Sequence, residues 1–111
     1  MARKFAGTFF ALGALFLLAP SLEAGEVQSG KATYDKLCAS CHGSDGKGNP
    51  AMTKVFGEKE LNIATKATSQ KKDDELLKVI TKGRGKMPAA GKELSKQEQK
   101  EILGYMRSLA K

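Results

Sequence analysis

The chain has 111 residues and a net charge of +7, from 19 Lys/Arg against 12 Asp/Glu, with two cysteines, one histidine and no tryptophan. That length allows one small domain, and a single histidine excludes a centre with two histidine ligands from one chain. The positive charge argues only weakly for nucleic acid, because arginines and stacking aromatics are scarce among the lysines.

Residues 1–24 read as a secretory leader. Arg3 and Lys4 make a short positive start, residues 5–19 an apolar run of 15, and Pro20 breaks it before Leu22-Glu23-Ala24 ends on a small residue. The run is shorter than the roughly 20 residues a spanning helix needs. Cleavage is therefore expected after Ala24, leaving a periplasmic domain over 25–111 with no membrane insertion. The alternative is an uncleaved leader acting as an anchor. Four of the five phenylalanines leave with the leader, so Phe56, Tyr34 and Tyr105 are the aromatic residues that remain. A domain this small buries only about 60% of its unfolded surface. It is short of core material, and a metal, a disulfide or a large cofactor is expected to supply the rest. Without Arg3, Lys4 and Glu23 it keeps 17 Lys/Arg and 11 Asp/Glu, a charge of +6, and 15 of the 17 are lysines. Their scatter fits steering toward an acidic protein partner; a solvated surface with no partner is the plainer alternative.

The first predicted helix covers residues 29–39, with Ser29 as N-cap and Gly30, Tyr34 and Leu37 on one face. It runs into Cys38-Ala39-Ser40-Cys41-His42, for which four readings compete. A disulfide would close a tiny loop and remove little unfolded-state entropy. A thioredoxin-like dithiol needs a strand–helix fold, and no stretch alternates convincingly as a strand. A zinc site needs about four ligands; two cysteines and one histidine leave it short unless a carboxylate joins. The fourth reading is covalent haem, for which C-x-x-C-H is the attachment signature. Two thiols three residues apart on a helical turn project to one side and can meet the two vinyl groups on one porphyrin edge. The histidine that follows then reaches under the ring to the iron. Export, the absence of other cysteines and the thin core all agree with this reading.

Residues 42–50 hold three further glycines and Pro50 and must turn repeatedly. A short helical turn is possible over 58–65. The second predicted helix covers 71–82, with Asp73, Asp74 and Glu75 early, Lys82 late, and Leu76, Leu77 and Ile80 as its apolar stripe. Gly83 stops it as a left-handed residue. Residues 83–93 form a glycine-rich excursion, and the third helix covers 96–110. Ser95 and Glu98 make its capping box, while Ile102, Tyr105, Met106 and Leu109 make its buried face.

The soft ligand available for a second axial position is methionine. Met1 leaves with the leader, Met106 sits on the buried face of the last helix, and Met52 lies in a turn-rich segment ten residues after His42. Met87 lies in Gly83-Arg84-Gly85-Lys86-Met87-Pro88, where a core residue is not expected, and Pro88 limits its backbone to extended conformations. Met87 is the expected ligand. A thioether favours ferrous iron, so histidine–methionine ligation raises the potential relative to two histidines.

These residues resemble the class I cytochromes c over nearly all of residues 27–110, and the small single-haem branch that includes cytochromes c6, c5 and c555 is similar in size. The resemblance implies an all-α fold of three to five helices around one covalently bound haem c, with an exposed haem edge. It implies thioether attachment at Cys38 and Cys41, His42 as proximal ligand and Met87 as distal ligand of the iron. Gly30 and Tyr34 resemble the family's first-helix pattern, in which a glycine lets the last helix cross closely, and Tyr105 resembles the last helix's aromatic. Haem-pocket contacts between residues 57 and 67, with Leu61 and Ile63 as candidates, match the family pattern least clearly.

The expected function is single-electron transport between periplasmic or membrane redox partners, without catalysis, by a monomer. Lys36, Lys47 and Lys86 are candidates for steering acidic partners. Two other expectations compete with it: a five-coordinate haem that binds peroxide or a gas, and a membrane-anchored haem subunit of a larger respiratory complex.

Overall fold

The computed structural model describes residue 7, residues 10–18 and residues 22–110, the side chains of 22–24 excepted. Of the expected leader, residues 1–6, 8, 9 and 19–21 lie outside the described residues. The described residues form seven helical segments and no strand: α1 (Leu22–Leu37), α2 (Ala39–His42), α3 (Pro50–Phe56), α4 (Glu58–Leu61), α5 (Lys66–Ser69), α6 (Asp73–Lys82) and α7 (Lys96–Leu109). The class is all-α, as expected. Three of the seven are single turns of four residues, so the helices longer than one turn number four.

α1 begins seven residues before the expected start, and Ser29 lies inside it. Glu26 brings acidic charge near its N-terminal end, where the helix dipole favours it. Glu26 also accepts an ion pair from Lys100 of α7 at 3.2 Å, a tertiary support that a local pattern does not reveal. α6 starts at Asp73 with Lys72 before it, and its acidic first turn is as read. α7 starts where the capping box placed it: the Ser95 hydroxyl accepts from the Glu98 N–H at 3.1 Å, and the Glu98 carboxylate accepts from the Ser95 N–H at 2.9 Å.

α1 and α7 cross at Gly30. A Cβ built there would lie 2.1 Å from the Glu101 carbonyl oxygen and 3.0 Å from Tyr105 Cβ, so the two backbones touch. Around this crossing Tyr34 and Ile102 are fully buried, joined by Leu76, Ile80, Leu103, Tyr105 and Met106. The Tyr34 and Tyr105 rings stand 5.1 Å apart at 59°, a tilted arrangement that suits their quadrupoles. Met106 belongs to this core, as read. At the other end of α7, Arg107 donates to the Ser69 carbonyl at 2.6 Å, the Lys71 carbonyl at 2.9 Å and the Asp73 carboxylate. One guanidinium thus ties α7 to the junction of α5 and α6. The frame α1–α6–α7 leaves α2–α4 and residues 83–93 to build the site.

Candidate functional site

α1 ends at Leu37, and Cys38 caps the single turn of α2. The Cys41 and His42 N–H groups both donate to the Cys38 carbonyl, at 3.2 and 3.0 Å. Both thiols are free, with Cys38 buried. Burial, with a smaller contribution from the Cys41 thiol, pushes the Cys38 thiol up to about 11, so it stands neutral at ordinary pH. Tyr34 grips this turn from both ends. Its carbonyl accepts from the Cys38 N–H at 2.8 Å, and its phenol donates to the Gly43 carbonyl at 2.6 Å.

His42 is buried, and its Nδ1 lies 2.8 Å from the Leu61 carbonyl oxygen. A carbonyl only accepts, so Nδ1 carries the proton and Nε2 keeps its lone pair. An imidazole held this way has a fixed orientation and presents its free nitrogen as a ligand.

Residues 83–88 approach from α6. Gly83 ends α6 at φ 76° and ψ 171°: the positive φ is as read, while the extended ψ differs from a left-handed helical cap. A Cβ at Gly83 would lie 2.7 Å from the Met87 carbonyl oxygen. Arg84 and Met87 exchange backbone bonds at 3.0 and 2.9 Å, closing a tight turn with Gly85 at φ 56°. The excursion is thus a small hairpin with a fixed base.

Cys38, Cys41, His42 and Met87 all line one cavity of about 450 Å³. Leu61 lines it as well, whereas Ile63 does not; Ile63 packs on the core and donates its N–H to the Gly46 carbonyl. Met52, on α3, does not line it. Lys86 does, but Lys36 and Lys47 are exposed away from the lining. Leu37, Phe56, Glu60 and Arg84 also line it and were not assigned to the site from the sequence. The available signal for Phe56 was its being the one phenylalanine outside the leader, and for Arg84 its place in the methionine loop.

The donor set fits covalently held haem. Two free thiols lie on one helical turn, an imidazole keeps its outer nitrogen free, and a thioether lines the same cavity, whose volume falls in the usual range for ligand sites.

Comparison with known proteins agrees. Residues 25–106 match the family described as cytochrome C oxidase, cbb3-type, subunit III. Cytochrome c6 of Rippkaea orientalis (strain PCC 8801 / RF-1) is 30% identical over 103 residues, covering 92% of this chain and 84% of the relative. The cbb3-type cytochrome c oxidase subunit CcoP of Azospirillum brasilense is 33% identical over 90 residues, and that of Azospirillum sp. (strain B510) 33% over 106. Those stretches cover 80% and 86% of this chain but only 30% and 32% of the two subunits. No solved structure matches the chain significantly. A cytochrome family match over most of the chain, and a relative of nearly the same length, carry the donor set from chemistry to kinship: the chain belongs to the small class I c-type cytochromes, which bind haem c covalently.

Proposed function

We propose that this chain is a periplasmic single-electron carrier, with one haem c attached through Cys38 and Cys41 and its iron held between His42 and Met87. The observation that carries this reading is the meeting of these four side chains on one cavity. The bound haem supplies a reversible one-electron change at its iron. The chain's own residues do the rest. The α2 turn fixes two attachment points, the Leu61 carbonyl aims the imidazole, and the hairpin base at Arg84 and Met87 limits how far the thioether strays. Leu37, Leu61 and Phe56 give the cavity apolar walls. With Met87 as a ligand, the iron would offer no open place to peroxide or a gas, so no catalytic residue is assigned.

An optical spectrum of the haem-loaded protein tests this. The oxidised form is expected to show the weak red band of iron–methionine ligation, and the reduced form to resist carbon monoxide. A protein that lacks the band and takes up carbon monoxide at once would move the five-coordinate reading ahead.

The lysine surface supports an acidic redox partner for this monomeric carrier. Lys86 and Arg84 stand at the cavity itself, so positive charge is present where electrons would leave. Electron transfer to an acidic partner is expected to slow at least about threefold from 0.01 M to 0.15 M salt, as the screening length falls from about 30 to about 8 Å. A rate indifferent to salt would count against steering.

A second reading is favoured by the cbb3-type family match and the two CcoP relatives: the same haem domain held within a membrane oxidase. The chain spans only about a third of those subunits. Among the described residues no helix is long and apolar enough to cross a membrane. The family match begins at residue 25, the residue after the expected cleavage bond. N-terminal sequencing of the exported protein separates the readings: a start at Gly25 is expected, and a retained leader would favour the anchored subunit.

A further inference from the structure

The Lys86 ammonium lies 5.4 Å from the centroid of the Phe56 ring. Lys86 precedes Met87 in the hairpin turn, and Phe56 is the last residue of α3, so the contact joins two elements thirty residues apart. Both side chains line the cavity. Backbone bonds fix the base of the turn, but its tip at Gly85 has open space around the Cβ position. Lys86 makes no ion pair among the described residues: Glu60 lines the same cavity beyond ion-pair distance, and Arg84 on the same turn carries like charge. The ring face is therefore the partner the geometry gives it, and a cation within about 6 Å of an aromatic centroid is attracted by the ring quadrupole.

We propose that Phe56 and Lys86 form a latch across the cavity, and that Phe56 is a positioning residue for Met87. The latch holds the methionine hairpin against displacement by an outside ligand. This rests on Met87 as the distal ligand. The pair ties the loop to α3, so strengthening or losing the contact changes how readily the loop lifts without changing the atoms that bind iron.

The test is imidazole titration of the oxidised, haem-loaded protein in four forms: parent, Phe56→Leu, Lys86→Gln and the double variant. Phe56→Leu keeps an apolar side chain on the cavity, and Lys86→Gln removes the charge. Each single change is expected to tighten imidazole binding about two- to fivefold, the range an exposed cation–π contact corresponds to. The double variant is expected to go no further than the larger single change, because both remove one interaction. Lys92→Gln, an equal loss of charge on the same excursion, is expected to leave imidazole binding at the parent value. Single effects that multiply in the double variant, or no effect, would overturn the latch while the parent's red band keeps Met87 as ligand. A parent that lacks the band overturns both together, and the parent spectrum alone reveals that case. If Phe56→Leu does not load haem, Lys86→Gln decides alone: unchanged imidazole binding overturns the latch.

Discussion

Replacing Met87 by alanine in the haem-loaded protein is expected to abolish the weak red band of the oxidised form and let the reduced form bind carbon monoxide on mixing. The reduction potential is expected to fall on the order of 0.2 V, within the roughly 0.8 V range that axial ligands span. The direction follows from chemistry. A thioether is a soft ligand that stabilises ferrous iron, and water or hydroxide in its place stabilises ferric iron. The fold is expected to survive, because Met87 is half-buried and lies outside the Tyr34–Ile102–Met106 core. Met52→Ala is the control. Met52 sits on α3 away from the cavity lining, so band and potential are expected to stay as in the parent. Loss of the band in Met52→Ala and its retention in Met87→Ala would transfer the ligand role to the other methionine.

What could be read from sequence divides along the range of the interactions involved. The α7 start was legible because a capping box is local: Ser95 and Glu98 satisfy each other's backbone within one turn, and both bonds are formed. The Cys38–His42 turn was legible as a helical turn for the same reason, since the Cys41 and His42 N–H groups both bond back to the Cys38 carbonyl. The start of α1 was not, because support for its early turns includes Lys100, 74 residues away from Glu26. α3 was missed although its local signal was present. Asn49 caps it by accepting from the Ala51 N–H at 2.9 Å, and Pro50 occupies the first turn. The glycines before it drew the whole stretch into a loop reading, when they only prepare the helix start. Within 57–67, Leu61 reaches the cavity and Ile63 does not, because the chain leaves α4 extended at Asn62 and Ile63 bonds to Gly46. Phe56 and Arg84 carried only weak signals and Glu60 none, because they meet at the cavity only once α3, α4 and the hairpin after α6 are brought together.

Gly30→Ala is expected to be among the most damaging single methyl additions in the molecule. The added Cβ would sit 2.1 Å from the Glu101 carbonyl oxygen and 2.7 Å from its carbon, and both are backbone atoms of α7 that no side-chain rotation can move. Relief requires α1 and α7 to separate, and their crossing is the centre of the core, between Tyr34 and Tyr105. Overpacking costs typically about 1–3 kcal/mol and more where the backbone must shift. A loss of about 3 kcal/mol corresponds to a fall in Tm of roughly 12–24 °C for a domain of this size. Gly104→Ala supplies the opposite case on the partner helix. Gly104 is exposed within α7 and nothing lies within 4 Å of its Cβ position. There the methyl meets solvent, and alanine's better helix propensity is expected to add about 0.5–1 kcal/mol of stability. Thermal unfolding of the two variants beside the parent checks both signs at once. Equal behaviour of the two would mean that helix propensity alone governs these glycines, and that α1 and α7 do not meet backbone to backbone at residue 30.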